Sequence, residues 1–294
     1  MDTVAVTGGN GEVGRAVLDH LGDRGYRTVN LNRGKRGEAI ADAYFTTDLT
    51  DAGEAYGSLA RSDADAVVHL GMTPTPDRTP GYVTFESNAM STYHVLEAAA
   101  SLGIDTVALA SSLSALGAGF EDDPVDVRYL PVDEKHPLTP TNAYGIGKQV
   151  LEIVADGFGR ADGPPTTVSS IRFPWVTSDE AMRETFAAAD RSLDALREAG
   201  VFHTARNTLF AYLSIDDAAR VVRRAVEADF GGHERFFAVA DDTTAALPTA
   251  GVVERLYDDA DIRSSLSGHE SLISNEKAGE VLGWTAERSW RELV

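Results

Sequence analysis

The sequence reads VAVTGGNGEVG from Val4 to Gly14, an apolar run that passes directly into a glycine-rich turn. Such a run predicts a buried strand followed by a helix, which is the context in which a glycine-rich turn binds a dinucleotide pyrophosphate. Gly8 permits the tight turn, Gly11 lets the backbone approach the pyrophosphate, and Gly14 lets the helix pack on the strand. The alternative is an ordinary strand-to-helix turn. The residues predicted to bind a cofactor here are Gly8, Asn10, Gly11, Glu12, Val13 and Gly14.

Outward from this turn, short apolar runs alternate with segments of helical period. The runs are Val4–Val6, Thr28–Leu31, Ala66–Leu70, Thr106–Ala110 and Val168–Ile171, and the helical segments are 11–23, 52–61, 85–101 and 143–157. This alternation predicts an α/β protein with a Rossmann-like, doubly wound parallel sheet.

The alternation stops after Pro174, where 179–199, 214–227 and 249–257 are predicted as helices. Residues 1–176 are therefore predicted to form a dinucleotide-binding Rossmann domain. Residues 177–294 are predicted to form mainly a small C-terminal substrate lobe, with some segments returning to the Rossmann core. We expect this lobe to cover the carboxyl ends of the strands, where open α/β sheets bind ligands.

The composition excludes several classes of function. The 294 residues include no cysteine, which removes disulfides and thiolate sites, and the seven histidines show no metal-ligand spacing. The 46 acidic residues outnumber the 26 basic ones, and this net charge of −20 argues against nucleic acid or an anionic membrane as a partner. So acidic a composition is typical of a salt-rich cytoplasm and favours a halophilic source. Without a basic leader or an apolar run of about 20 residues, the sequence predicts a soluble cytoplasmic protein.

The second predicted strand ends at Asn32 and Arg33, followed by Gly34, Lys35 and Arg36. At this position an acidic residue would accept hydrogen bonds from the adenine ribose of NAD. Three basic residues within four positions would instead suit a 2′-phosphate, so the sequence favours NADP over NAD. A solvated basic turn is the alternative, and an asparagine also hydrogen-bonds a ribose hydroxyl.

Tyr144 and Lys148 stand four positions apart in a predicted helix, so both side chains project from one face. Charges about 4 Å apart at an effective dielectric near 20 interact by roughly 4 kcal/mol, which would lower a phenol pKa by about three units toward neutrality. Such a phenol is a useful general base. Ser112, after the fourth apolar run, would hydrogen-bond the substrate oxygen. The predicted catalytic residues are Ser112, Tyr144 and Lys148.

Together these motifs resemble those of an extended short-chain dehydrogenase/reductase of the epimerase/dehydratase type. The resemblance is strong to about residue 176 and weaker in 212–217 and 282–285. Its motifs are the glycine loop, Asp48-Leu49, His69-Leu70-Gly71, Asn88, Ala110-Ser111-Ser112 with Gly117, and Tyr144 with Lys148.

This resemblance implies further roles around a bound cofactor. Asp48 and Leu49 would touch the adenine, the segment Leu70, Gly71 and Met72 would line the nicotinamide side, and Asn88 would support the cofactor. Lys148 would hold the nicotinamide ribose, Tyr144 would act as the base, and Ser112 would orient the substrate. Helices 85–101 and 143–157 could pair across a two-fold axis as a homodimer. Asp48 as a helix N-cap and Asn88 as a surface residue are the alternatives.

Within this family, residues 171–178 lack the Asn-containing and Gly-Pro-Arg segments typical of sugar-nucleotide epimerases. The motifs look closer to uronate and aldose 1-dehydrogenases, although Leu113 and Ser114 replace the polar residues that follow the serine of uronate dehydrogenases. Met72, Thr73, Leu113, Trp175 and Arg206, with Ser112 and Tyr144, are the candidate substrate-binding residues. The prediction is NAD(P)-dependent oxidation of the C1 hydroxyl of a free sugar to a lactone. A sugar-nucleotide 4-epimerase and a non-catalytic NADP-binding sensor are the alternatives.

Overall fold

The computed structural model describes residues 1–34, 40–75 and 79–293. Its strands are β1 (Thr3–Thr7), β2 (Arg27–Asn32), β3 (Ala43–Thr46), β4 (Ala66–His69), β5 (Thr106–Ser112), β6 (Tyr129–Leu130), β7 (Thr167–Phe173), β8 (Trp175–Thr177), β9 (Tyr212–Ser214), β10 (Gly232–Phe237) and β11 (Asp261–Ile262). Seven of them form one parallel sheet in the order β10-β7-β5-β4-β1-β2-β3.

Helices cover both faces of this sheet. The α-helices of the described residues are α1 (Glu12–Gly22), α2 (Ala52–Ser62), α3 (Gly81–Leu102), α4 (Ala143–Gly159), α5 (Asp179–Met182), α6 (Leu193–Glu198), α7 (Phe202–Asn207), α8 (Ile215–Val226), α9 (Thr249–Leu256) and α10 (Glu276–Leu282). α2, α3 and α4 pack on one face, while α1, α8 and α10 pack on the other. The fold predicted from the sequence, a Rossmann-like doubly wound α/β sheet, is confirmed.

Alternation along β1 shows why its three central residues, Val4, Ala5 and Val6, are all apolar. Val4 and Val6 face the α1 and α8 side, whereas Ala5 faces the α2 and α3 side, and all three are fully buried. Successive side chains of a strand point to opposite faces, so a strand covered on both faces must be apolar throughout. β1 lies between β4 and β2, which makes its carboxyl end the point where the strand order reverses and where such sheets bind ligands.

The chain after residue 177 contributes to two regions. β10 extends the main sheet beside β7, and α8 packs against α1. α10 packs on the same face of the main sheet, and other segments surround a separate core that includes Leu209, Phe210 and Val252. In the described part of the chain, no helix has the length and apolar character that crossing a membrane requires.

The segment 179–199 is not the single helix predicted from the sequence. α5 passes into a π-helical turn at Arg183–Ala187, and α6 begins only after Ser192. The Asp190 carboxylate accepts a hydrogen bond from the Ser192 N–H at 2.8 Å, and the Ser192 hydroxyl accepts one from the Ala195 N–H at 3.3 Å. These short polar side chains compete for the backbone and start a new helix.

Candidate active site

A cleft of about 1330 Å³ follows the carboxyl ends of the parallel strands. The predicted residues that line it are Gly8, Asn10, Gly11, Glu12, Val13, Gly14, Asn32, Arg33, Asp48, Leu49, Leu70, Gly71, Met72, Thr73, Ser112, Leu113, Tyr144, Lys148 and Trp175. Asn88 and Arg206 do not line it. Lys35 and Arg36, the rest of the predicted basic cluster, lie outside the described residues.

The glycine loop leaves no room for side chains at three of its positions, Gly8, Gly9 and Gly14, and a Cβ on Gly9 would lie 2.5 Å from Asn30 Oδ1. Gly8 has φ +73°, and a Cβ there would lie 2.8 Å from the Gly71 backbone. A Cβ on Gly14 would lie 2.4 Å from the Gly8 carbonyl oxygen. A Cβ on Gly11 would lie an ordinary 3.4 Å from its nearest atom, the Gly8 carbonyl oxygen, so the protein itself leaves room for a side chain at this position. Gly11, the N-cap residue of α1, has no side chain with which to cap the helix, which leaves the first N–H groups available to an anion such as a pyrophosphate.

The cleft carries opposite charges near the end of β2. The Asp48 carboxylate accepts hydrogen bonds from the Thr50 N–H at 3.0 Å and the Thr50 hydroxyl at 2.8 Å. Although burial acts against ionisation, these bonds and the charge of Arg33 lower the pKa of Asp48. Asp48 is not the N-cap of α2, because Asp51 accepts the capping hydrogen bond from the Glu54 N–H at 2.9 Å.

A buried hydroxyl positions the loop after β4. Thr7 Oγ1 accepts hydrogen bonds from the N–H groups of Leu70 and Gly71 at 3.1 and 2.9 Å, so it donates its own proton to His69 Nδ1 at 2.8 Å. His69 Nε2 then carries the ring proton and donates it to Ser91 Oγ at 3.1 Å. Burial lowers the pKa of His69 to about 3, so the ring stays neutral. Sequence reasoning missed Thr7 and Ser91.

Asn88 supports the same loop from α3. Its side chain is fully buried, and Oδ1 accepts a hydrogen bond from the Thr73 N–H at 3.0 Å. Ser87 Oγ accepts a second bond from that N–H at 3.2 Å. The alternative of a surface residue is therefore wrong. Among the described residues Asn88 Nδ2 has no hydrogen-bond partner, although it is buried.

The predicted catalytic residues meet where β5 ends and α4 begins. The Asn142 side chain caps α4 by accepting a hydrogen bond from the Gly145 N–H at 2.9 Å. A Cβ on Gly145 would lie 2.5 Å from the Ser114 carbonyl oxygen, so this glycine lets α4 approach the turn that follows Ser112. Ser112 hydrogen-bonds Tyr144, and Lys148 Nζ donates to the Ala110 carbonyl oxygen at 2.6 Å.

The electrostatics of this group differ from the sequence expectation. Lys148 Nζ lies 5.5 Å from the Tyr144 ring centroid. Burial raises the pKa of Tyr144 to about 12, with the Ser112 hydrogen bond acting in the opposite direction. Burial also lowers the pKa of Lys148 to about 7, although Glu152 opposes that shift. Desolvation therefore outweighs the charge pair that was expected to bring the phenol near neutrality.

Glu152 lies one helical turn beyond Lys148 and was missed by the sequence reasoning. Its carboxylate, 1% exposed, accepts hydrogen bonds from Ser111 Oγ at 2.6 Å, from Arg172 Nε and Nη2 at 2.9 and 2.7 Å, and from Arg235 Nε at 3.1 Å. Burial opposes ionisation of Glu152, but the hydrogen bonds from Arg172 and the positive charge of its guanidinium lower the pKa of this carboxyl. A buried negative charge thus lies behind Lys148. The sequence signal that could have identified Glu152 is its spacing of four residues from Lys148 on the same helix.

The β5–β7 end of the cleft, defined by residues 112–120, 144, 148, 173–176, 204 and 208, contains the predicted substrate residues Ser112, Leu113, Tyr144 and Trp175, whereas Met72 and Thr73 line the cleft after β4. Trp175 lines it and is 47% exposed. Phe120, which sequence reasoning missed, lines it beside Tyr144 at a ring-centroid distance of 5.5 Å. Arg206 instead donates from Nη2 to the Leu256 carbonyl oxygen at 3.2 Å and packs near the Tyr257 ring, so its prediction as a pocket residue is not met.

A family model, the NAD dependent epimerase/dehydratase family, matches residues 4–240. The chain belongs to this family. This establishes the family part of the resemblance found in the sequence motifs.

Curated relatives of the chain carry two kinds of activity in their names. Over 158 residues, 51% of this chain and 60% of the relative, it is 32% identical to an NAD-dependent glucose-6-phosphate dehydrogenase of Haloferax volcanii. It is 28% identical to a putative UDP-glucose 4-epimerase of Methanocaldococcus jannaschii, covering 48% of that protein. Over 100% of this chain and 95% of the relative, it is 25% identical to a UDP-glucose 4-epimerase of Rhizobium leguminosarum.

Solved structures share the fold at low identity. A short-chain dehydrogenase/reductase superfamily protein from Agrobacterium tumefaciens with bound NAD superposes with a TM-score of 0.72 at 21% identity, over 99% of this chain and 94% of that one. A mutated uronate dehydrogenase gives a TM-score of 0.68 at 23% identity, over 99% and 84%.

Proposed function

We propose that the protein is an NAD(P)-dependent oxidoreductase that oxidises the C1 hydroxyl of a free sugar, an aldose or a uronate, to a lactone by hydride transfer. The observation that carries the proposal is one continuous cleft with the glycine loop toward one end and Ser112, Tyr144 and Lys148 toward the other. A dinucleotide bound along the strand ends would bring its reactive ring toward these three side chains.

The described residues fit such a cofactor. Gly8 and Gly14 hold the loop where side chains would collide, and the uncapped start of α1 offers N–H groups to the pyrophosphate. Arg33 lines the cleft at the end of β2 and would meet a 2′-phosphate, so we propose a preference for NADP over NAD. Comparing kcat/KM for the two cofactors in wild type and Arg33→Ala tests this: NADP should lose more than NAD.

Each catalytic side chain has a separate task. Ser112 holds the C1 oxygen of the sugar, and Tyr144 takes the hydroxyl proton as the C1–H bond breaks. Lys148, supported by Glu152, places a positive charge that favours the phenolate. The oxidised nicotinamide supplies the acceptor for the hydride. Positioning both reactants in one cleft provides much of the rate.

The test is absorbance at 340 nm in concentrated KCl with NADP or NAD and a panel of aldoses, uronic acids and nucleotide sugars. We expect a free sugar to reduce the cofactor in wild type and not in Tyr144→Phe. Silence with every free sugar would contradict the proposal.

A sugar-nucleotide 4-epimerase is the second candidate, and the nearly full-length match to the Rhizobium leguminosarum epimerase favours it. The same three catalytic side chains would serve, with the hydride returned to the other face of the sugar. This candidate predicts a retained cofactor and interconversion of nucleotide sugars without net reduction, which chromatography detects. A non-catalytic NADP sensor would not need Ser112, Tyr144 and Lys148 together in the cleft.

We further propose a homodimer that pairs α3 and α4 with their copies. These helices expose large apolar side chains, namely Tyr82, Phe85, Met90, Tyr93 and Ile153. Light scattering after gel filtration should give twice the 31.4 kDa of one chain, and Ile153→Glu should reduce it.

A further inference from the structure

The described residues at the β5–β7 end of the cleft carry little charge. Among the described residues lining it, Lys148 is the charged side chain, and its ammonium is directed to the Ala110 carbonyl oxygen. The other charged side chains of the described lining, Glu12, Arg33 and Asp48, follow β1, β2 and β3. A carboxylate or phosphate that leaves water needs a cation or several donors in compensation. Arg206, the cation expected there, contacts Leu256 instead.

Hydroxyl groups take the place of charge at this end. They belong to Ser112, Ser114, Thr204 and Thr208, with Thr73 and Thr75 contributed by the loop after β4. Hydroxyls both donate and accept hydrogen bonds, as the hydroxyls of a sugar do. The described residues at the β5–β7 end of the cleft therefore match a neutral polyol better than an anion.

Two exposed aromatic rings complete this wall. Trp175 and Phe120 are 47% and 43% exposed, and both line the cleft. Trp175 rests edge-to-face on the buried Phe186 at 5.5 Å, and Phe186 packs in turn on Tyr212 and Trp290. Such rings offer an apolar surface to the C–H groups of a pyranose.

The chain fixes Phe120 through its neighbours. Asn207, 1% exposed, donates from Nδ2 to the carbonyl oxygens of Gly119 and Glu121 at 3.3 and 3.1 Å, and the Gly119 N–H donates to the Asn207 carbonyl oxygen at 3.2 Å. The Glu121 carboxylate accepts from the Thr141 N–H at 2.7 Å, just before α4. Phe120 is thus tied to α7 on one side and to the catalytic helix on the other.

From this arrangement we infer that the substrate is a neutral free aldose, bound by the rings of Phe120 and Trp175 and by hydroxyl side chains, in preference to a uronate or a sugar phosphate. This inference rests on the proposed sugar oxidation. Phe120 and Trp175 determine sugar affinity, whereas the glycine loop determines cofactor affinity.

The first experiment compares glucose, glucuronate and glucose 6-phosphate, and likewise the galactose series, as substrates of the wild-type protein. We expect kcat/KM for the neutral sugar to exceed that of its acid and its phosphate by about tenfold or more. Thr204→Arg, which places a cation at an exposed position of the cleft, should raise kcat/KM for the uronate relative to the aldose.

The second experiment measures KM for the aldose in Phe120→Leu and Trp175→Leu, with Tyr56→Leu on α2 as a control. Tyr56 is 45% exposed and does not belong to the cleft lining. Each cleft variant should raise KM for the sugar about tenfold, with the dissociation constant of NADPH, followed by fluorescence, unchanged.

Preference of the wild type for a sugar phosphate overturns both the inference and the free-sugar proposal, whereas preference for a uronate overturns this inference and leaves the proposed oxidation standing. Unchanged KM in both leucine variants does the same. If the wild type reduces cofactor with no aldose or uronate of the full panel, the proposed oxidation and the inference both fail.

Discussion

The ammonium of Lys148 lies 5.5 Å from the ring centroid of Tyr144, one turn away on α4, and donates to the Ala110 carbonyl oxygen. Both groups are buried, and burial raises the pKa of Tyr144 to about 12 and lowers that of Lys148 to about 7. In the protein alone, each residue is therefore biased toward its neutral form. Proton abstraction then depends on charges brought by the ligands and on the buried carboxylate of Glu152.

Removal of either group should abolish most of the sugar oxidation. Tyr144→Phe deletes the proton acceptor, and Lys148→Met deletes the charge that favours the phenolate. A positioned acid or base contributes about 10²–10⁴-fold, so kcat should fall by that factor in each variant. Steady-state kinetics at 340 nm measures the loss, and fluorescence titration of NADPH should show that Tyr144→Phe still binds cofactor. Full activity of Tyr144→Phe would remove Tyr144 from the mechanism.

The lowered pKa of Lys148 predicts how stability changes with pH. The folded value of about 7 lies below the ordinary 10.5, so between these values the unfolded chain binds a proton that the folded chain lacks. The free energy of unfolding contributed by Lys148 should therefore rise with pH from about 7 to 10, before ionisation of Tyr144 in the unfolded chain acts in the other direction. Urea denaturation at pH 7, 8 and 9 should show a steeper rise in wild type than in Lys148→Met. Parallel curves would contradict the assigned shift.

The sequence predicted most of the cleft because two local patterns encode it. A glycine turn between a strand and a helix has few possible geometries, and a four-residue spacing on a helix places Tyr144 and Lys148 on one face. The pKa of Tyr144 was mispredicted because it depends on burial, which spacing does not reveal. Arg206 was misplaced because its direction is set by contact with Leu256, 50 residues away.

Phe120 and Glu152 were missed for related reasons. Phe120 is positioned by hydrogen bonds from Asn207, 87 positions later in the chain, to the backbone on either side of it. No local sequence pattern predicts such a contact. Glu152 has the helical spacing from Lys148, but its partners Arg172 and Arg235 come from β7 and β10. β10 was itself not predicted, because its sequence GHERFF mixes charged and aromatic residues without a clear period.

Three glycine substitutions should separate folding from cofactor binding. Gly8→Ala forces a side chain to a positive φ and against the Gly71 backbone, so it should destabilise the fold. Gly11→Ala meets only an ordinary contact within the protein, so it should fold normally and bind NADPH at least about tenfold more weakly. Gly57→Ala, on α2 with nothing near its Cβ, should raise the free energy of unfolding by about 0.5–1 kcal/mol without affecting binding.

Thermal melts and fluorescence titration measure these effects. Tight NADPH binding by Gly11→Ala would show that the cofactor does not approach this part of the loop.

Removing one partner of the buried Glu152–Arg172 ion pair behind the active site should strongly destabilise the fold. Arg172→Met leaves Glu152 without its closest charge partner, and Glu152→Gln leaves Arg172, also 1% exposed, without its own. Either change should lower the free energy of unfolding by about 3–5 kcal/mol, whereas Glu152→Gln combined with Arg172→Met should cost less than the two single changes added together. Urea denaturation of the single and double variants measures the coupling. Additive losses would mean that the charges act independently.

The net charge of −20 makes the stability of the protein depend on salt. Repulsion among exposed carboxylates is screened over about 8 Å at physiological ionic strength and about 3 Å at 1 M, so Tm should rise from 0.15 to 1 M KCl. Neutralising three exposed acidic side chains in the C-terminal part of the chain, by Glu254→Gln, Asp258→Asn and Asp259→Asn together, should reduce that rise. Calorimetry at several KCl concentrations compares the two proteins, with sucrose as a control that stabilises without screening. If Tm rose equally in wild type and variant, charge repulsion would not be the cause of the salt dependence.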